Sequence, residues 1–132
     1  MHHGPYLLIV EDDPDIRESF QDLLEQEGHA VRAARDGQEA IDLLLAAQRL
    51  PSLVILDLMM PRKNGWEVLE WLRGSSLFAG IPVVVVSAVV DSAPVGALAW
   101  LRKPVEPLTL LEIVSTVLET VEEAGGVPDA VG

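Results

Sequence analysis

Polar residues that could take part in chemistry follow four of the five short apolar runs in the sequence. They are Glu11, Asp12 and Asp13 after the first run, Asp57 after the third, Ser87 after the fourth and Lys103 after the fifth. In open parallel sheets, ligands bind outside the carboxyl ends of the strands. If the apolar runs are parallel strands, the sequence therefore places carboxylates, a hydroxyl and an amine at one edge of a sheet.

This set of groups suits phosphoryl transfer beside a hard cation. Carboxylates from two strands raise each other's pKa values unless a cation lies between them. Because no thiol or imidazole follows these strands, the set favours Mg²⁺, which typically takes one or two carboxylates plus water. A carboxylate can also attack phosphorus and form an acyl phosphate. Mg²⁺, an ammonium and a hydroxyl would then offset the charge of the transferring group.

The elements that must position these residues alternate between two periodicities. Apolar, β-branched runs predict strands over Tyr6 to Val10, Ala30 to Ala33, Leu53 to Leu56, Ile81 to Val86 and Ala99 to Leu101. Helical spacing fills most of the segments between them. This alternation of helices with near-continuous apolar strands predicts an α/β fold, in which a parallel sheet is covered by helices on both faces.

Capping residues predict where the helices begin and end. Asp13 is expected to cap the first helix, and Gly28 to stop it. Asp36 begins the second helix, with Glu39 three residues later as in a capping box. The third helix begins at Asn64, which is followed by glycine, and an apolar helical period near the end of the chain predicts the last helix.

The connection between the fourth and fifth strands is short. Only residues 88 to 98 separate Ser87 from Ala99, and Pro94 and Gly96 within them both oppose helix. A complete crossover with its helix needs at least about 10–12 residues. We therefore expect the fourth helix to be shortened or absent.

Composition limits the possible partners and locations. The net charge of −12 disfavours direct binding to nucleic acid. The apolar runs are shorter than the roughly 20 residues of a membrane span, no secretory signal is recognisable, and the absence of cysteine is compatible with a reducing cytoplasm.

The expected organisation is one cytoplasmic domain over residues 6–122. A flexible tail over residues 123–132 should follow, because that segment holds glycines and a proline without an apolar period.

Four motifs in this order resemble the receiver domain of two-component response regulators. They are Leu8-Ile9-Val10-Glu11-Asp12-Asp13, Leu56-Asp57-Leu58-Met59-Met60-Pro61 with Asn64-Gly65, Val86-Ser87-Ala88, and Lys103-Pro104. Each motif is weak alone, but all four at the expected strand ends are specific, and the resemblance covers about residues 6 to 122. It implies a flavodoxin-like, doubly wound sheet of five parallel strands in the order 2-1-3-4-5.

The resemblance also implies a phosphoacceptor and a magnesium site. Asp57 would accept a phosphoryl group from a histidine kinase or a phosphotransfer protein. Asp12 would bind Mg²⁺ directly and Glu11 through water, while Asp57 and the backbone carbonyl of Met59 would complete the protein ligands. The protein would then be a signalling switch rather than an enzyme with turnover.

Three further roles come from the same resemblance. Ser87 would donate a hydrogen bond to one phosphoryl oxygen, and Lys103 would pair with another. Lys103-Pro104 would be a cis peptide, which X-Pro bonds allow at modest cost. Trp100 stands where the family usually has a tyrosine or phenylalanine as a rotamer switch. The tryptophan at position 100 and the short connection after the fourth strand both depart from the family pattern, and both lie in the region through which the family usually transmits its signal to partners.

Structural roles compete with these functional ones. Asp13 is interpreted as a helix cap, whereas Glu11 and Asp12 could cap the first helix or bind metal, and the presence of Asp57 favours metal. Lys103 could be no more than a structural partner for Asp57, and a serine such as Ser87 is ordinary after a strand. For Trp100 a core position is favoured over a switch. The Met59 and Met60 side chains are interpreted as packing residues.

Two other functions are compatible with part of the pattern. The chain could be an interaction module that keeps the fold but works without phosphorylation, an idea supported by the short fourth connection and opposed by the complete acidic cluster. An aspartate-nucleophile phosphatase fits poorly, because that chemistry needs a second acid two residues after the nucleophile, where this chain has Met59.

Overall fold

The fold is a five-stranded sheet in the order β2-β1-β3-β4-β5, with every neighbouring pair parallel. The structure is a computed structural model, and it describes residues 5–89 and 92–123. The strands are β1 (Tyr6–Val10), β2 (Ala30–Ala34), β3 (Leu53–Asp57), β4 (Val83–Ser87) and β5 (Ala99–Arg102). The predicted fold class and strand order are both confirmed.

The described residues form four helices, and the predicted capping residues begin the first three. They are α1 (Pro14–Gln26), α2 (Gly37–Ala46), α3 (Gly65–Arg73) and α4 (Pro107–Glu123). The carboxylate of Asp13 accepts the N–H groups of Asp15 and Ile16, and Gly28 follows α1 with a left-handed φ of 95°. Asn64 and Glu67 form a complete capping box on α3. At the start of α2, the carboxylate of Asp36 accepts the N–H of Glu39, as expected for a cap. The Glu39 carboxylate, however, accepts the N–H of Arg35 rather than that of Asp36, so the capping box is incomplete.

Two apolar cores hold the helices against the sheet. On one face, α2 and α3 pack on alternate residues of β1, β3 and β4, and this core includes Leu44, Leu56, Leu72 and Val85. On the other face, α1 and α4 pack on the remaining residues, and this core includes Ile9, Leu24, Ile55 and Leu110. Because β3 and β4 are central and covered on both faces, all five residues of each strand are buried.

The described part of the connection between β4 and β5, residues 88–89 and 92–98, contains no helix. The chain instead makes one turn, in which the N–H of Ala97 donates to the carbonyl of Pro94, and then joins the sheet through the N–H of Leu98. Right-handed crossovers would place a helix here on the α2–α3 face. The expectation that the fourth helix is shortened or absent is therefore met for these residues.

Arg73, the last residue of α3, holds this rebuilt connection. Its Nε lies 2.9 Å from the carbonyl oxygen of Gly96, to which Nη2 also donates. Its Nη1 lies 2.8 Å from the carbonyl oxygen of Ala79, and its Nη2 lies 3.5 Å from that of Ile81. Gly96 has a φ of 97°, which favours glycine. One guanidinium thus links α3 to the segments before and after β4.

We expect Arg73→Met to lower the free energy of unfolding by about 2–3 kcal/mol, because part-buried carbonyls lose a charged donor. Chemical denaturation measures the change. Arg35→Met is the matched control, since it removes an arginine whose ion pair with Glu39 is on the surface, with 68% of the Arg35 side chain exposed. The control should change stability by no more than about 0.5–1 kcal/mol. Equal losses in the two variants would show that Arg73 does not hold the connection.

The predicted C-terminal boundary of the domain, at residue 122, stays a prediction, because the structure describes residues only as far as 123. Helix α4 extends to Glu123, the residue at which the flexible tail was expected to begin. The rest of that predicted tail, residues 124–132, lies outside the described residues. Among the described residues, no helix has the length and apolar character needed to cross a membrane.

Candidate functional site

The structure brings the predicted site residues together at the carboxyl edge of the sheet. Glu11 follows β1, Asp57 is the last residue of β3, Ser87 is the last residue of β4, and Lys103 follows β5. The parallel register aligns the strand ends, since Val10 is opposite Leu56 and Asp57 is opposite Val86. The sheet topology therefore builds the site from residues that lie far apart in the sequence.

Three carboxylates form the centre of the site. Single oxygen atoms of Glu11, Asp12 and Asp57 all lie within 4.8 Å of one another. Glu11 and Asp57 are buried, with 1% and 3% of their surface exposed. Negative charges this close and this buried need a positive partner.

Lys103 supplies part of that positive charge. Its Nζ lies 3.0 Å and 3.2 Å from the two carboxylate oxygens of Glu11 and 3.5 Å from Oδ2 of Asp57. Lys103 therefore partners Asp57, as the structural interpretation allowed, but it binds Glu11 more closely. Burial alone would lower the pKa of Lys103, yet the hydrogen bond and charge of Glu11, together with Asp57, raise the pKa above its ordinary value.

The pKa of Asp57 is raised from its ordinary value of 3.8 to about 7. Burial is the largest cause, because it disfavours the charged form, and the negative charge of Glu11 adds to it. Lys103 and the backbone N–H of Met59 act in the opposite direction, while a hydrogen bond with Asp12 raises the pKa. Without a cation, one lysine does not fully offset three carboxylates.

The donor set fits a hard divalent cation. Three carboxylates converge, and Oε1 of buried Glu11 accepts no hydrogen bond although Lys103 is close. Oxygen ligands of this kind suit Mg²⁺, which keeps several of its waters. Asp13, by contrast, is exposed and caps α1, so its predicted capping role is confirmed.

Met59 differs from the prediction in one respect. Its backbone N–H lies 3.3 Å from Oδ1 of Asp57, which orients the carboxylate. Its side chain is 54% exposed, so the interpretation of that side chain as a packing residue was wrong, because the loop after β3 turns it toward solvent. Met60 does pack against the α2–α3 core. The Met59 carbonyl as a metal ligand stays a prediction.

Ser87 ends β4 and Trp100 lies within β5, and the roles predicted for both stay predictions. Ser87 is fully buried, and its hydroxyl oxygen accepts the N–H of Val89 at 3.1 Å. Trp100 is partly buried against the α2–α3 core and pairs in register with Val85. This position agrees with the favoured core interpretation. The peptide between Lys103 and Pro104 is cis, as expected.

Gly65 contributes to the site in a way that the sequence did not reveal. The sequence placed it after the cap of α3 and within the motif that ends in Asn64-Gly65, without giving it a contact. A β-carbon at this position would lie 2.4 Å from the carbonyl oxygen of Asp57 and 2.6 Å from the α-carbon of Leu58. The N–H of Gly65 also donates to the carbonyl of Leu58. Only glycine therefore lets α3 begin directly against the end of β3.

Arg17 was also missed by the sequence reasoning. Its Nη1 lies 2.9 Å from the carbonyl oxygen of Glu11 and 3.3 Å from that of Asp12. No motif pointed to it, because an arginine in the first turn of an amphipathic helix is an ordinary surface residue. The spacing of an arginine four residues after a cap, with its side chain directed back along the helix, was the one available signal.

Comparison with known proteins identifies the same kind of domain. The family model described as response regulator receiver domain matches residues 7–115. Response regulator Rre1 of Synechocystis sp. is 39% identical over 119 residues, which cover 85% of this chain and 51% of Rre1. Protein Rrf1 of Nitratidesulfovibrio vulgaris is 32% identical over 125 residues, covering 93% of this chain and 88% of Rrf1. The chain thus spans about half of one curated relative and most of another.

Solved structures agree with these relatives. The crystal structure of a CheY-like response regulator receiver domain protein from Methanospirillum hungatei has a TM-score of 0.81 and 29% identity, covering 93% of this chain and all of that one. The signal receiver domain of a signal transduction histidine kinase from Syntrophus aciditrophicus has a TM-score of 0.79 and 29% identity, covering 89% of this chain and 92% of that one.

Proposed function

The chain belongs to the response regulator receiver domain family, and from this membership we propose that Asp57 is the residue that carries the phosphoryl group. Receiver domains are phosphoacceptor signalling switches of two-component systems, and this chain is such a switch. They are generally not enzymes. The observation that carries the assignment is the position of Asp57, a buried carboxylate that ends β3 beside Lys103 and two further carboxylates.

The phosphoryl transfer uses Asp57 as the nucleophile. An oxygen of its carboxylate attacks phosphorus on a phosphohistidine, an oxygen–phosphorus bond forms, and the phosphorus–nitrogen bond breaks as the imidazole leaves. Lys103, already 3.5 Å from Asp57, is placed to pair with a phosphoryl oxygen. The Ser87 hydroxyl uses its oxygen to accept from Val89, so its hydrogen can be donated to another phosphoryl oxygen.

We assign the magnesium site to Glu11, Asp12, Asp57 and the carbonyl of Met59. When bound, Mg²⁺ would offset the charge that accumulates on the transferring phosphoryl group. The proximity of the three carboxylates, against which Lys103 provides one positive charge, supports this assignment. The cation would also favour the ionised form of Asp57, which is the nucleophilic form.

A groove beside the site could receive the phosphodonor. Receiver domains interact with histidine kinases or phosphotransfer proteins, and the donor must bring its phosphohistidine next to Asp57. A mainly apolar groove of about 640 Å³ runs between α1 and the segment after β5, and it includes Phe20, Leu23 and Val105. Lys103 lines both this groove and the site. We therefore place the donor protein on this groove, and the cytoplasmic location expected from the sequence stays part of the proposal.

Incubation with acetyl phosphate, read by intact mass, tests the proposed function. The wild-type chain should gain the mass of one phosphoryl group in the presence of Mg²⁺ and little or none in the presence of a chelator. Hydroxylamine should remove the added mass, because it cleaves acyl phosphates. No mass gain under either condition would instead support the interaction module that works without phosphorylation, which no feature of the comparisons favours.

The aspartyl phosphate is expected to be long-lived. Its hydrolysis needs a water in line with the phosphorus. We infer that this approach is bordered by Met59, two residues after Asp57, and Val89, two residues after Ser87, which are 54% and 56% exposed. Neither side chain can orient a water, and positioning is a large part of phosphoryl-transfer catalysis. We expect Met59→Asn, and to a lesser extent Val89→Glu, to accelerate phosphate release.

Phosphate release after removal of the phosphodonor measures this lifetime. Met60→Asn is a suitable control, because Met60 packs against the core rather than facing the site. Rapid loss from the wild type, with no acceleration in Met59→Asn, would contradict the explanation.

A further inference from the structure

Arg17 connects α1 to the short segment that carries two of the assigned metal ligands. We propose that Arg17 is a positioning residue for Mg²⁺, which holds Glu11 and Asp12 in the orientation that binds the ion. This inference rests on the proposed magnesium site. The guanidinium does not bind the carboxylate oxygens that are assigned to the metal. Its contacts are with the backbone carbonyls of the two residues, at 2.9 Å for Glu11 and 3.3 Å for Asp12.

The segment of Glu11 and Asp12 needs such a residue because the hydrogen bonds between β1 and β2 end at Glu11. The N–H of Glu11 makes a bond to the carbonyl of Ala34, and β1 itself ends at Val10. Helix α1 begins at Pro14. Glu11 and Asp12 therefore lie between a strand and a helix, and one Nη atom of Arg17 binds the carbonyl oxygens of both.

Arg17 is itself well anchored. Its backbone N–H donates to the carbonyl of Asp13 at 2.9 Å, in the first turn of α1. The Asp13 carboxylate caps that same turn, and the Asp13 N–H lies 3.2 Å from Oε2 of Glu11. The side chain of Arg17 thus ties the ligand segment to a helix end that is already fixed. Hydrogen-bond partners of the ligand side chains typically contribute 10–100-fold to metal affinity, and Arg17 acts on the same residues through their backbone carbonyls.

Charge alone predicts the opposite effect, and this makes the proposal testable. A guanidinium close to a divalent cation repels it, so removing Arg17 for electrostatic reasons alone should tighten Mg²⁺ binding. If Arg17 acts by orienting Glu11 and Asp12, removing it should weaken Mg²⁺ binding despite the lost repulsion. The sign of the change therefore separates the two effects.

The experiment is a Mg²⁺ titration of the full chain, followed by tryptophan fluorescence and without any phosphodonor. We expect Arg17→Met, which keeps the length of the apolar stem but removes the charge and all donors, to weaken Mg²⁺ binding about 10-fold or more. Arg17→Lys should bind Mg²⁺ with an intermediate affinity, because an ammonium can restore part of the contact. Arg49→Met is the charge-matched control and should bind like the wild type. Arg49 lies at the amino ends of the strands, opposite the site, where its backbone carbonyl accepts the hydroxyl of Tyr6, the first residue of β1.

Unchanged or tighter binding in Arg17→Met would overturn the proposal. Should that variant fail to fold, Arg17→Lys decides alone, and an affinity equal to that of the wild type would overturn the proposal. Failure of the proposed magnesium site looks different. In that case the wild type would show no saturable binding, or Asp12→Ala would bind Mg²⁺ as tightly as the wild type.

Discussion

Replacement of Asp57 by asparagine is expected to make the metal-free protein more stable at pH 8. The pKa of Asp57 is raised from 3.8 to about 7 in the folded protein, so between these pH values the folded state holds a proton that the unfolded state has lost. Ionisation of Asp57 therefore lowers the free energy of unfolding as the pH rises through this range. Above pH 7 the carboxylate is charged in the folded state, and the full cost of burying that charge is present. Asparagine carries no charge, so the variant avoids a cost of up to about 4 kcal/mol.

Thermal unfolding at several pH values, in the presence of a chelator, measures the effect. The wild type should lose stability relative to Asp57→Asn between about pH 4 and pH 7, and added Mg²⁺ should reduce the difference at pH 8 by stabilising the wild type alone. Asp36→Asn is the matched control, since Asp36 is also buried but caps α2, pairs with Arg62 and is not one of the three clustered carboxylates. A wild type that is as stable as Asp57→Asn at pH 8 would show that the buried charge is already offset.

Gly65→Ala is expected to destabilise the protein by about 3 kcal/mol or more. The new β-carbon would lie 2.4 Å from the carbonyl oxygen of Asp57 and 2.6 Å from the α-carbon of Leu58. Both atoms belong to the backbone at the end of β3 and just after it, so no side-chain rotation can relieve the contact. Overpacking of this kind typically costs about 1–3 kcal/mol, and a clash with backbone lies at or beyond the upper end.

Gly80→Ala is the matched control for this substitution. A β-carbon at Gly80 would meet no atom within 4 Å, so the control should stay within about 1 kcal/mol of the wild type. Denaturant unfolding measures both variants. Because the clash lies at Asp57, Gly65→Ala should also weaken Mg²⁺ binding at temperatures where it remains folded. Similar stabilities for the two alanine variants would mean that α3 does not need the close approach to β3.

Much of the fold followed from the sequence because local signals agreed with one another. Apolar runs placed each strand, and capping residues placed the starts of the first three helices, to within a few residues. The main deviation is at β4, which was expected to begin at Ile81 and begins at Val83, because Pro82 has no N–H for a sheet bond. Asp57 and Ser87 were expected to follow strands and prove to be their last residues.

The contacts within the site could not be predicted in the same way. That Lys103 binds Glu11 more closely than Asp57 depends on distances across the sheet edge, which a linear pattern does not contain. The same holds for Arg17 and Arg73, whose partners are backbone carbonyls rather than complementary side chains. Gly65 had a sequence signal, but its packing against Asp57 depends on where α3 meets β3.

The most direct test of the central claim is the position of the phosphoryl group. Wild type, Asp57→Asn and Asp36→Asn should be incubated with acetyl phosphate and Mg²⁺, and their intact masses compared. If Asp57 is the acceptor, the wild type and Asp36→Asn gain one phosphoryl group, and Asp57→Asn gains none. Asparagine at position 36 can still cap α2, so the control keeps the fold. Full labelling of Asp57→Asn would contradict the assignment of Asp57 as the phosphoacceptor.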